Sequence, residues 1–385
     1  MELTDITRKL LYDAQLCSRC KFCSTVCPTY DGWLGRAPVG RIQGVLYALS
    51  HEDVDFNKLG SMLYSCTLCG ACEEICNKFM AGVKIKEAVR LARSHLVEKA
   101  IVPAKIRDFF ENIYNQGNPY GISRMKRNEW AEGLEIKQFA HEDFLYYVGC
   151  VGSYDPVGQR VTKSFAELLL KTGLSAGMLG KDERCEGNEA IVLGEEGLFE
   201  LLAEENIKKF DKLGVKKIVT IDPHAYNALK NEYPKMRGEY EVMHHTQLIW
   251  ELIKEGKLKF NTDNDSQTKV TYHDPCFLGR WNGIYEEPRN ILKNIPGVKL
   301  IEMGRNKENS FCCGGGSGNF YTDFSSEGRD PARERVKEAN ESGAEVIVTA
   351  CPVCAMMLEE AIVSENLGGK LVVKDISEIV NEYTV

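Results

Sequence analysis

Two cysteine runs of the same spacing constrain this chain more than any other feature. They are Cys17-x-x-Cys20-x-x-Cys23-x-x-x-Cys27-Pro28 and, after 38 intervening residues, Cys66-x-x-Cys69-x-x-Cys72-x-x-x-Cys76, with Asn77 in place of the proline. Three thiolates set two residues apart wrap one face of an Fe4S4 cube in a tight loop, and a fourth beyond a three-residue gap reaches a second cube instead. The spacing therefore assigns Cys17, Cys20, Cys23 and Cys76 to one [4Fe-4S] cluster and Cys66, Cys69, Cys72 and Cys27 to the other. A pair of structural zinc sites would use two Cys-x-x-Cys arms or add histidine, leaving the third in-phase cysteine without a use. Cubes whose corners are all held by protein relay electrons and do no bond chemistry on a substrate.

Composition agrees with metal ligation. Fifteen cysteines in a 385-residue chain of cytosolic character point to bound metal rather than disulfides. A net charge of -8 with both signs interspersed argues against a nucleic-acid binder. The first twenty residues lack the pattern of a secretory signal, so the mature chain is expected to start here. The longest apolar stretches, Phe144–Val151 and Val346–Leu358, are broken by glycine, proline or cysteine, and fall short of the roughly 18 residues a membrane helix needs. A cytoplasmic location follows, peripheral to the inner membrane face only through a partner.

Cysteine usage and hydrophobic periodicity divide the chain into a helical two-cluster domain over 1–100, a helical linker over 101–140, and two further units over 141–262 and 263–385. In the first, Leu3–Leu16, Arg41–Leu49 and Lys84–Leu96 carry apolar residues at helical spacing. The linker reads as a helix, a turn around Gly117-Asn118-Pro119-Tyr120-Gly121 and a solvated polar bridge. From Phe144 onward, short β-branched or aromatic runs alternate with amphipathic helices, the pattern of α/β units. The clear strands are Phe144–Val148, Lys217–Ile221, Lys269–His273 and Glu345–Thr349. This part is also duplicated: LYYVGC ending at Cys150 matches VTYHDPC ending at Cys276, ERCEG at 183–187 matches FCCGG at 311–315, and KKIVTIDPHAYNAL matches EVIVTACPVCAMML. The fold class expected is α+β multidomain.

The second copy holds Cys276, Cys312-Cys313-Gly314 and Cys351-Pro352-Val353-Cys354, five thiols delivered by three strand ends, which parallel strands would gather at one edge of the sheet. The pattern Cys…Cys-Cys-Gly…Cys-Pro-x-Cys, duplicated behind the two cysteine runs, together with His273-Asp274-Pro275-Cys276 and Gly314-Gly315-Gly316, resembles the D-type subunit family of heterodisulfide reductase. These are CCG-domain iron–sulfur oxidoreductases related to glycolate oxidase and anaerobic glycerol-3-phosphate dehydrogenase iron–sulfur subunits. The resemblance implies that Cys276, Cys312, Cys313, Cys351 and Cys354 hold a noncubane [4Fe-4S] cluster that cleaves a disulfide in one-electron steps. Zinc held by four cysteines is the alternative there, since this fold accommodates zinc in one copy. The glycine run lacks the endings of a phosphate-binding loop. Of the histidines, His244, His245 and His273 stand near strand ends as structural residues, with ligation or proton donation as the alternative.

The first copy departs from the pattern. Arg184 replaces one cysteine of the pair, and Asp222 and Ala225 replace both of Cys-Pro-x-Cys, leaving Cys150 and Cys185 alone and no expected metal. The function expected is an iron–sulfur subunit that passes electrons through two cubanes to the C-terminal cluster, which reduces a disulfide or thiol carrier. The alternative is a pure relay serving a flavoprotein that oxidises a 2-hydroxy acid or glycerol 3-phosphate and feeds quinone; a third reading is a structural adaptor whose C-terminal site is zinc. No flavin-binding fingerprint and no haem-attachment Cys-x-x-Cys-His is present, so the partners expected are a flavoprotein, a cytochrome b or another redox subunit.

Overall fold

A computed structural model describes residues 14–261, 267–322 and 329–385. Most of the expected helix Leu3–Leu16 lies outside the described residues. The N-terminal part is helical. Pro38 starts the helix Pro38–Ser50 at a position where its missing N–H costs nothing, and Val39, Ile42 and Val45 form the buried stripe. Asp55 caps Phe56–Tyr64 by accepting from the Lys58 N–H at 3.0 Å. Helices Ala71–Phe79 and Ile85–Glu98 complete the layer. Helix Ala104–Gln116 buries Ile106, Phe109, Phe110 and Ile113.

The segment read as a solvated bridge is packed instead: Asn118, Arg127 and Trp130 are buried, because Arg127 and Trp130 complete the interior of the first copy. The same segment supplies strand β1, Lys137–Gln138, to that copy's sheet.

Both copies form wholly parallel sheets. In the first, β1 is joined by β2 (Phe144–Tyr147), β3 (Ala176–Met178), β4 (Lys217–Thr220) and β5 (Glu241–His244) in the order β1-β3-β2-β4-β5. In the second, β6 (Thr268–Tyr272), β7 (Val298–Leu300), β8 (Val346–Thr349) and β9 (Val372–Asp375) run β7-β6-β8-β9. Set β2 against β6 and the orders coincide, so the sequence repeat is a repeat of topology, with β1 as the added edge. The four expected strands are present to within one residue at each end. The shorter strands β1, β3, β5, β7 and β9 were missed because runs of two to four residues carry little periodicity. Central strands β2, β4 and β8 are buried along almost their whole length, as parallel strands covered on both faces must be. The histidines of the β5 corner serve this packing: His244 Nδ1 pairs with Thr246 Oγ1 at 2.8 Å, and His245 Nε2 meets Asp375 Oδ1 of the other copy at 3.0 Å. No helix among the described residues is long and apolar enough to cross a membrane.

Candidate metal centres

The two cysteine runs close into similar loops. Arg19 and Lys21 in the first, and Leu68 and Gly70 at the matching positions of the second, have positive φ, between 51° and 81°. Left-handed backbone is unfavourable for side-chain-bearing residues. Its recurrence in both loops marks a turn imposed by the need to aim three thiols inward. One cavity is lined by Cys17, Cys20, Cys23 and Cys76, a second by Cys27, Cys66, Cys69 and Cys72, and Ile85 borders both. Each fourth cysteine thus lines the same cavity as the three of the other run.

The two thiol sets differ in surroundings. In the first, Cys20 is exposed and Cys17, Cys23 and Cys76 are half-buried; in the second, only Cys66 is half-buried and the others are buried. Three buried guanidiniums border the second set. Arg41 donates to Cys27 Sγ at 3.7 Å and to Met62 O, Thr29 Oγ1 and Ser65 Oγ. Burial works against its charge, but Cys66 and Cys27 outweigh burial and raise its pKa. Arg93 donates to the carbonyls of Leu63 and Cys66 on one side, and to Val192 O and Ser317 Oγ on the other. Arg280 donates to Cys69 O at 2.6 Å and Ser310 O at 2.6 Å. A buried cation persists only with matched anions or acceptors, so this collar fits an anionic group held by the second thiol set.

Arg93 and Arg280 also lock the second loop onto the C-terminal part, as does Trp281, whose Nε1–H donates to Leu68 O at 2.9 Å. A Cβ on Gly316 would lie 2.5 Å from Thr67 O, so the glycine run exists here for close approach of two backbones.

Across that contact lie the five thiols of the second copy, all buried. They form a chain of neighbours. Cys312 neighbours Cys276, Cys313 and Cys69; Cys313 Sγ is 3.3 Å from Cys354 Sγ; Cys354 neighbours Cys351. The loops achieve this because Cys276 follows β6, and Cys351 follows β8 and caps helix Pro352–Ser364, its sulfur accepting from Cys354 N–H at 3.5 Å. Five convergent soft donors fit a thiolate-rich metal centre.

His273 stands within the site beside Cys313. Arg335 Nε donates to its Nδ1 at 3.1 Å, and burial lowers its pKa, so the neutral ring keeps its proton on Nε2 and offers it to Cys313.

Sequence reasoning missed His224, which comes from the degenerate copy. It is buried, with Nδ1 2.5 Å from Glu189 Oε1, and lies within reach of Cys351. Burial opposes its charge, but Glu189 and Cys351 prevail and raise its pKa. The available signal was its position inside the loop that matches Cys-Pro-x-Cys. In that copy Cys150 and Cys185 are neighbours, but Arg127 donates to Cys150 Sγ at 3.7 Å and pairs with Glu183 at 2.7 Å. A guanidinium already occupies the cationic position.

A 4Fe-4S dicluster domain family model matches residues 13–80, and a cysteine-rich domain family model matches 144–230 and 270–359. The chain is 31% identical to the D-type subunit of the dihydromethanophenazine:CoB–CoM heterodisulfide reductase of Methanosarcina barkeri, over 99% of this chain and 97% of that protein. The chain belongs to the D-type subunit family of heterodisulfide reductase. The matched domains support 4Fe-4S clusters in the N-terminal part and a cysteine-rich centre in the C-terminal part. Two longer relatives are more similar over a shorter span. The probable iron-sulfur-binding oxidoreductase FadF of Bacillus subtilis is 37% identical over 82% of this chain, and the EtfAB:quinone oxidoreductase of Syntrophomonas wolfei is 36% identical over 82%. The chain spans about half the length of each of these two, 46%.

Proposed function

We propose that this chain carries electrons through two cubane clusters, the first held by Cys17, Cys20, Cys23 and Cys76 and the second by Cys66, Cys69, Cys72 and Cys27. They would pass to a noncubane iron–sulfur centre on Cys276, Cys312, Cys313, Cys351 and Cys354, where a disulfide or thiol carrier is reduced in a heterodisulfide-reductase-like complex.

The observation that carries this reading is the contact between Cys69 of the second thiol set and Cys312 of the five-thiol set, which leaves no protein layer between the two. Cys20, exposed, gives a redox partner an approach to the first set, while the buried second set is reached through it. When bound, the clusters supply one-electron transfer. The chain's own residues do the rest. Arg41, Arg93 and Arg280 surround the second set with positive charge, and the Gly314–Gly316 run brings the C-terminal loop against Thr67. His273 holds a proton against Cys313. Disulfide reduction takes two electrons and two protons and returns two thiols, so a relay delivering one electron at a time needs a sulfur-binding terminus, which a metal centre held by Cys276, Cys312, Cys313, Cys351 and Cys354 would supply and a closed four-cysteine cube would not. The partner is a flavoprotein, a cytochrome b or another redox subunit, and membrane contact at the cytoplasmic face is through it.

The test is Cys312→Ser in the anaerobically assembled complex, reduced chemically and offered candidate disulfides. Disulfide reduction should be lost while both cubanes stay reducible; retained turnover would place the chemistry elsewhere.

A second reading is favoured by the higher identity to the EtfAB:quinone oxidoreductase. In it the chain is a relay between an EtfAB-type flavoprotein and quinone, the quinone-reactive part lying on a partner. Full cubane reduction with quinone reduction, and no thiol activity in the unaltered complex, would select it.

A further inference from the structure

The degenerate copy lost its cluster cysteines, yet the loop that should have carried them faces the complete copy's site. After β4, the sequence Asp222-Pro223-His224-Ala225 starts the short helix Pro223–Asn227, with Asp222 Oδ1 accepting from the His224 N–H at 2.9 Å. The helix start throws the His224 side chain across the boundary between copies. Its ring stacks on Phe277 at 4.2 Å, and Phe277 stacks on Trp281 at 4.8 Å, the tryptophan bonded to the second cysteine loop. Glu189 grips Nδ1 with one oxygen and accepts the Gly318 N–H at 2.5 Å with the other, so the carboxylate itself is anchored to the complete copy's glycine loop. Donor atoms of Asp222, His224 and Cys351 all lie within 4.8 Å of one another, and all three residues are buried.

The two histidines of this site differ in tautomer for a physical reason. Arg335 can only donate, so His273 Nδ1 accepts and the ring proton sits on Nε2, leaving no lone pair for a metal. Glu189 is a carboxylate, so His224 Nδ1 donates to it, and Nε2 is left toward Cys351, where a bound metal would take the place of its proton. A histidine that gives one N–H to a carboxylate and turns the other nitrogen to a cysteine sulfur has the arrangement of a metal-ligating imidazole, the carboxylate fixing tautomer and orientation. His273 is set up to hydrogen-bond sulfur, and His224 to bind metal.

We infer that His224 is a nitrogen ligand of the metal centre at Cys351, with Glu189 as its positioning residue, so that the C-terminal centre is assembled from both copies. This rests on the reading that the five-cysteine site holds iron. It gives the degenerate copy a chemical role beyond scaffolding: the position opposite the complete copy's thiolates is filled by an imidazole rather than by a second cluster.

The test uses the full chain, purified anaerobically with iron in the C-terminal site, made once with natural-abundance histidine and once with 15N-histidine. The paramagnetic C-terminal centre is then examined by pulsed electron paramagnetic resonance. A strongly coupled nitrogen that changes isotope pattern with the histidine label is expected in the unaltered protein, a comparison that needs no variant. The coupling should disappear in His224→Ala and persist in His273→Gln. Iron in the site with no histidine nitrogen coupling, or with coupling that survives His224→Ala or vanishes in His273→Gln, overturns the ligand assignment alone. Absence of iron from the five-cysteine site of the unaltered protein overturns the reading beneath it as well.

Discussion

Removing the charge of Arg41 while keeping a polar side chain should make the second cubane harder to reduce. Arg41 Nη1 lies 3.7 Å from Cys27 Sγ, in a site from which water is excluded. At an effective dielectric of about 20, two unit charges at that distance interact by about 4.5 kcal/mol. The added electron spreads over the whole cluster, so roughly half of this, about 2 kcal/mol, is the difference between reduced and oxidised states. For a one-electron couple that corresponds to a potential lower by on the order of 90 mV in Arg41→Gln. The assay is an anaerobic redox titration followed by electron paramagnetic resonance. The first cubane, whose thiol set has no such guanidinium collar among the described residues, serves as the internal reference. Arg41→Lys keeps the charge and loses part of the hydrogen bonding to Met62, Thr29 and Ser65, so it should retain most of the original potential. Equal shifts in the Gln and Lys variants would mean that packing, not charge, sets the potential. No shift in Arg41→Gln would refute the electrostatic reasoning.

Three further outcomes are expected. Cys76→Ala should damage the cubane of Cys17, Cys20 and Cys23, because Cys76 lines that cavity; loss confined to the cluster of Cys66, Cys69 and Cys72 would reverse the exchange of ligands. Replacing Cys150 and Cys185 together by serine should leave iron and zinc content unchanged, since Arg127 already neutralises that corner, and a drop of one metal equivalent would contradict it. Burial pushes the Glu186 carboxyl up to about 8, and its Oε2 has no hydrogen-bond partner. The folded state therefore keeps a proton that the unfolded chain releases above its ordinary carboxyl pKa, and stability falls as pH rises from about 5 to about 8, then levels. Glu186→Gln should abolish that slope and melt at higher temperature than the unaltered protein at pH 8, with the two converging toward pH 5; parallel melting curves at both pH values would disprove the burial argument.

The residues that metal chemistry demands were legible because thiol ligation is governed by short-range spacing. Cys17 to Cys27 and Cys66 to Cys76 announce two groups of four thiols whose fourth members are exchanged, since a three-residue gap turns a side chain away from the loop before it, and the two cavities are lined in that way. The duplication was legible for a similar reason: cysteine, proline and glycine landmarks recur at strand ends, where few other residues meet the backbone requirement. The polar bridge was misread because charge on Arg124, Lys126 and Arg127 reports an average preference for water, whereas Arg127 finds Glu183 and Cys150 inside.

Contacts between distant parts of the chain carried no local pattern. Nothing in the order of residues says that Cys69 faces Cys312, that Arg93 ties Cys66 to Val192 and Ser317, or that His224 of the degenerate copy reaches Cys351. Those pairings come from packing two matching parallel sheets and a helical layer around one shared core, where burial decides which buried charges and donors must meet. Sequence by itself determined how many thiols there are and how they group within each loop; the tertiary structure alone decided the order in which the groups stand, because that order is set by side chains that satisfy one another across more than two hundred residues of chain, as Arg93 with Ser317 and Arg280 with Cys69 do.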